Sequence, residues 1–162
     1  MKISVAKFTI LVIAAVLSVA VTVAALCLTG AGGEFVPPPF ESGAVPGVPG
    51  VPASLGYGEI YRDGMSYRFS VCGNVTLNGE EAAVYLTNPA ESGVWLKLRV
   101  LDGEGKTLGE TGLLRPGEYV ENVRLAKELP VGTAVTLKIM GYEPETYHSV
   151  GAVTIRTVIG VR

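Results

Sequence analysis

Histidine occurs once, tryptophan once and cysteine twice in the 162 residues, and charged side chains make up only 17% of the chain. A single histidine excludes an enzyme that needs several imidazoles. Two cysteines exclude a disulfide scaffold. Thirteen basic residues against fifteen acidic ones exclude a strongly basic nucleic-acid binder. Glycine is plentiful at 21 residues but lacks the strict period of a collagen-like chain. Glycine-rich phosphate loops, CxxC pairs and linear basic stripes are missing too. The sequence calls for no cofactor, no metal and no catalytic residue.

What is present divides sharply along the chain. Hydrophobic residues amount to 48% and the mean hydropathy is +0.40, yet the strongest apolar run is confined to one end. Residues 8–29 (FTILVIAAVLSVAVTVAALCLT) contain no charge. About 20 apolar residues in a helix match a hydrocarbon core of about 30 Å, so this segment reads as a transmembrane signal-anchor. A cleaved secretory signal is the competing reading, with a small-x-small pattern at Thr29-Gly30-Ala31, but its apolar region is usually shorter, about 7 to 15 residues. Lys2 and Lys7 precede the run, and no Lys or Arg follows it until Arg62. The positive-inside rule then places residues 1–7 in the cytoplasm and the C-terminal domain outside, giving a single-pass protein of the cell membrane. The residues after the run hold all fifteen acids and eleven of the thirteen bases, a formal charge of −4, with no general attraction to nucleic acid.

Residues 30–56 change composition abruptly. Six of the ten prolines and six glycines fall between Gly30 and Ser54, including the repeat VPGVPGVP at 45–52. Proline removes backbone donors and fixes φ, so the segment is expected to make neither a ladder nor a packed core and to act as an extended extracellular stalk. A ligand for a proline-recognising domain, centred on Phe35 to Phe40, is the alternative.

From residue 57 onward the pattern alternates with period two between turn signals, which predicts an antiparallel all-β domain over 57–162. Phe69, Val71, Gly73, Val75 and Leu77 are expected on one face of a single strand, with Ser70, Cys72 and Asn74 on the other. Asn78-Gly79 is a hairpin signal, and Pro116-Gly117 reads as a turn in which proline presets one φ and glycine accepts a positive one. Further strands are expected near 82–87, 94–100, 107–114, 119–125, 135–139 and 152–161. Seven or so short strands in about 105 residues suggest an immunoglobulin-like β-sandwich.

The run at 88–119 (NPAESGVWLKLRVLDGEGKTLGETGLLRPGEY), together with 142–154 (YEPETYHSVGAVT), resembles small membrane-anchored extracellular proteins of Gram-positive bacteria. That resemblance implies a hydrophobic N-terminal anchor followed by one β-sandwich domain, with no assigned activity.

Three features stand out as candidate sites. Tyr142, Glu143, Glu145, Tyr147 and His148 sit in one loop, either as a small binding surface at the end of a sandwich or as a polar loop whose aromatics cover the core. Trp95 shares a strand face with Lys97 and Arg99, either as edge cover or as an exposed platform for a sugar or peptide. Cys72 alternates onto the polar face, either as a free thiol open to an intermolecular disulfide or as a half-buried apolar residue. The expected function is a non-enzymatic surface module, with the membrane and an unidentified protein or envelope component as partners. The alternative is a pilin-like subunit, processed near Phe8 and assembled into a filament, although Val12 stands where the bacterial pattern has Glu.

Overall fold

Strands form where the sequence alternates, and turns where it breaks. The computed structural model describes residues 35–161, which from Pro37 onward make up one compact unit. The expected cytoplasmic N-terminus, the apolar anchor at 8–29 and the first residues of the stalk lie outside the described residues. No helix among the described residues is long and apolar enough to cross a membrane.

The unit is all-β, with no α-helix among the described residues. Ten strands follow in chain order: β1 (Val45–Pro46), β2 (Tyr57–Ile60), β3 (Phe69–Cys72), β4 (Val75–Asn78), β5 (Glu81–Thr87), β6 (Trp95–Leu101), β7 (Thr107–Glu110), β8 (Glu118–Arg124), β9 (Ala134–Tyr142) and β10 (Ser149–Gly160). They pair in the order β1-β8-β5-β4-β10-β9-β6-β7, with β2 and β3 attached beside β5. Among these ten strands every pairing is antiparallel except a short parallel contact of β10 with β4. The sheet curls until its ends approach, where the Ala126 amide donates to the Leu108 carbonyl at 2.7 Å.

The curl encloses one apolar core. Leu96, Leu98 and Val100 of β6 and Leu137 and Ile139 of β9 meet Phe69, Val75, Val84 and Leu86 from the other arm. All nine are fully inaccessible to solvent. Each buried side chain of this size contributes roughly 1.5–3 kcal/mol. Tyr67 adds a polar tie, its hydroxyl lying 3.0 Å from the Ile139 carbonyl and 3.1 Å from that of Gly151.

Three local expectations are corrected. The strand expected through 68–77 is two strands, broken at Gly73-Asn74, where Gly73 and Asn74 donate to the carbonyls of Gly56 and Leu55. Cys72, the last residue before that break, lies on the face of its strand opposite Phe69 and Val71 and is nonetheless fully buried. The hairpin loop between β4 and β5 is Gly79-Glu80, one residue later than expected, with Asn78 still paired to Glu81. Gly79 takes φ +60° and Glu80 is not in the left-handed region, so the turn is of the II′ rather than the I′ kind.

The stalk is the third correction. From Pro39 onward it is a strap bound to the β unit: Leu113 donates to the Pro39 carbonyl and Glu41 to the Leu113 carbonyl, each at 2.9 Å. Val45 and Pro46 then pair with Tyr119 and Glu118, and Leu55 is buried. Proline is tolerated because an edge strand needs donors only on the side facing its neighbour. Gly112 makes the close approach, since a Cβ there would lie 2.5 Å from the Glu41 nitrogen. The Gly112 amide donates to Glu41 Oε2 at 2.6 Å, while Oε1 accepts from Gly43 at 2.9 Å.

Candidate functional site

Pairing of β6 with β9 sets Trp95 directly opposite Tyr142, the last residue before the loop at 143–148. Inside that loop the Glu143 amide donates to the His148 carbonyl at 2.8 Å and the Tyr147 amide to the Glu143 carbonyl at 3.0 Å. Glu145 and Tyr147 adopt left-handed φ values of 68° and 58°. Neither is glycine, so each conformation costs roughly 1–3 kcal/mol that the surrounding contacts offset.

This turn carries Tyr147 back over the sheet. Its ring lies 5.2 Å from Trp95 in an edge-to-face arrangement, and Phe40, arriving from the strap, lies 4.9 Å from Trp95 with its ring at 79°. The Arg115 guanidinium stacks 3.6 Å from the Phe40 ring centre, completing a row of four groups joined by three π contacts. Tyr142 is half-buried beside this row and its hydroxyl approaches Met140 Sδ at 3.6 Å. Two features nominated separately, the loop aromatics and Trp95, therefore belong to one cluster. Phe40, named only as the end of the proline-rich motif, and Arg115 are the members that sequence reasoning did not connect to it.

The ionisable loop residues sit at the solvent edge of the cluster. His148 Nδ1 lies 3.8 Å from Glu143 Oε2, with the two side chains 81% and 52% exposed, so their attraction is small. Glu143 Oε2 also accepts from the Thr146 hydroxyl at 3.0 Å. Glu145 is exposed. Among the described residues no three His, Cys, Asp or Glu side chains are grouped to hold a metal ion.

Cys72 lies elsewhere, on β3 opposite Tyr57. Burial pushes its thiol up to about 11. Of the two readings of Cys72 the buried one fits: the thiol is free but shielded, and an intermolecular disulfide through it would require the strand to open.

A groove of about 620 Å³ runs along the outer side of β4, β5 and β8, with Leu55, Leu77, Tyr85, Asn122 and Val158 among its lining residues. Tyr85 takes φ 47° at a bulge in which Val84 and Tyr85 oppose Glu121 alone. Desolvation, then the Glu121 charge, raises the Tyr85 hydroxyl above its ordinary value. No sequence signal marked this groove, because a bulge in β5 depends on its pairing with β8.

What the aromatic row offers chemically is a contact surface. It has flat rings, one guanidinium and a polar rim, without an activated nucleophile. Comparison with family models, with curated proteins and with solved structures finds nothing that this chain matches.

Proposed function

We propose that this chain is a non-enzymatic cell-surface module, held in the membrane by residues 8–29 and presenting an immunoglobulin-like β-sandwich to a protein or envelope partner. The observation that carries the reading is the aromatic cluster of Trp95, Tyr147 and Phe40, drawn from a strand, a loop and the strap to one end of the sheet. Aromatic rings with polar tips supply large contact area at low entropic cost, which suits recognition rather than bond chemistry. The sandwich reading is supported by the single core shared between β6–β9 and β3–β5. Membrane attachment is supported by the charge-free run at 8–29 and the lysines before it.

The test is protease treatment of whole cells, followed by intact mass and N-terminal sequencing of the membrane-extracted chain. An intact N-terminus with an externally clipped β domain supports the proposal. A mature start at Phe8 would favour the pilin-like subunit, and a start near Gly32 would indicate a released domain.

A further inference from the structure

The charges of the β unit are segregated in a way its overall acidity conceals. Residues 35–161 hold ten basic and fourteen acidic side chains. Four of the ten bases, Lys97, Arg99, Lys138 and Arg156, occupy the outer face of β6, β9 and β10. The opposite face of these strands carries Leu96, Leu98, Leu137 and Ile139 into the core, with Val153 and Ile155 packed against it. Among the described strand positions of this outer face, Glu110 of β7 is the sole carboxylate, meeting Lys97 Nζ at 2.9 Å and Arg99 Nε at 2.7 Å. Lys138 and Arg156 have no ion-pair partner among the described residues.

The register makes this arrangement costly in isolation. Arg99 stands directly opposite Lys138, and Lys138 directly opposite Thr154. Like charges in directly paired positions destabilise a sheet. An anion laid across the row relieves that repulsion. The cations recur across adjacent strands about 4.8 Å apart, and diagonal positions such as Lys138 and Arg156 are separated by roughly 7–8 Å. Thr136 and Thr154 place hydroxyl donors between them. The face is open rather than concave, which suits an extended chain of repeated anions better than one small ion.

The neighbouring side chains narrow the partner further. Met140 is 6% exposed, and Val158 at the far end of β10 is the one large apolar side chain of this face that is openly exposed. Bilayer insertion needs more apolar anchorage than that. Arginine forks match phosphate oxygens in a bidentate way.

We infer that the outer face of β6, β9 and β10 binds a linear phosphate-bearing polymer across Arg99, Lys138 and Arg156. This adds a partner chemistry to the surface-module reading and stands on the β unit alone, independent of where the chain sits in the cell.

The experiment measures binding of the full chain, in a neutral detergent, to long-chain inorganic polyphosphate at low and moderate salt. Three surplus cations predict a slope of log K against log salt near −2, taking roughly 0.7 per neutralised phosphate. The double variant Lys138→Gln/Arg156→Gln is expected to weaken low-salt binding at least 10-fold and to bring the slope below −1 in magnitude. Lys106→Gln/Lys127→Gln removes the same charge from exposed positions off this face and is expected to leave binding unchanged. Unaltered Trp95 emission checks that each variant is folded. Absence of polyphosphate binding at low salt overturns the inference, as does an equal loss in both double variants. Binding to vesicles of phosphatidylglycerol and phosphatidylcholine but not to polyphosphate would assign the face to lipid. Equal or tighter binding of poly-glutamate would assign it to an acidic protein. Either result refutes the polymer.

Discussion

Replacing Gly112 by alanine tests whether the strap is held to the β unit as described. The new Cβ would stand 2.5 Å from the Glu41 nitrogen and 2.7 Å from both the Glu41 Cα and the Phe40 carbonyl carbon, where ordinary contact begins at 3.4 Å. All three are backbone atoms, so no rotamer change relieves the clash, and the strap must shift by almost 1 Å or leave. Overpacking of this kind costs roughly 1–3 kcal/mol. Departure instead removes the bonds from Gly112 to Glu41 Oε2, from Glu41 to Leu113 and from Leu113 to Pro39, each contributing roughly 0.5–1.5 kcal/mol net. Alanine offsets part of this by lowering the entropy of the unfolded chain, by roughly 0.4–1 kcal/mol. The expected net destabilisation is about 2 kcal/mol, a fall in melting temperature of about 6–12 °C for a domain of this length. The only tryptophan is a built-in reporter, because Trp95 touches Phe40 of the strap. Its emission should shift to the red, and a Glu-specific protease should cut at Glu41 faster than in the parent. Gly50→Ala is the control, since a Cβ there meets nothing within 4 Å. If Gly112→Ala melts, fluoresces and resists cleavage like Gly50→Ala, the docked strap is refuted.

Three further outcomes follow from single residues. Cys72 should resist a soluble thiol reagent at pH 8 in the folded chain and react at once in denaturant, because burial holds its thiol protonated at about 11; rapid reaction of this thiol in the folded protein would contradict the placement of β3. Partial desolvation tends to raise the Glu110 carboxyl, but hydrogen bonds from Lys97 and Arg99 outweigh it and hold the group below its ordinary 4.5. A depressed carboxylate contributes stability that is present above 4.5 and is lost as pH falls through the lower folded value. Acid titrations of stability should therefore be shallower below 4.5 in Glu110→Gln than in the parent, and identical curves would refute the pairing. Tyr67→Phe should cost roughly 1–2 kcal/mol in a denaturant melt, because two inward carbonyls lose their shared donor; an unchanged midpoint would show that the hydroxyl is not bonded there.

The parts of the fold that could be read from sequence are those where alternation alone decides. The strand expected at 94–100 is found at Trp95–Leu101, and that at 135–139 lies within Ala134–Tyr142, because one face of each is wholly apolar. The Pro116-Gly117 turn also forms where expected, closed by the Glu118 amide on the Arg115 carbonyl at 3.1 Å. Alternation does not show the break at Gly73-Asn74 or what covers the outer face of β3, so it leaves the burial of Cys72 open. It also says nothing about which edges a proline-rich segment can join, so the strap was read as a stalk. The site was legible in pieces. Trp95 and the loop at 142–148 were both nominated, but their meeting depends on β6 pairing with β9 across about forty residues. The cationic face was invisible for the same reason, since each of β6, β9 and β10 supplies only one or two of its charges.

The central claim is a β unit displayed outside the cell by a chain whose N-terminus stays inside. Labelling of intact cells with a membrane-impermeant maleimide tests it directly. The parent for this measurement carries Cys27→Ala and keeps Cys72, whose buried sulfur should be silent. Added to that parent, Glu145→Cys lies in the exposed loop and should label on intact cells, whereas Lys2→Cys should label only after lysis. Lys2→Cys labelling on intact cells, or Glu145→Cys remaining unlabelled until lysis, would contradict the account.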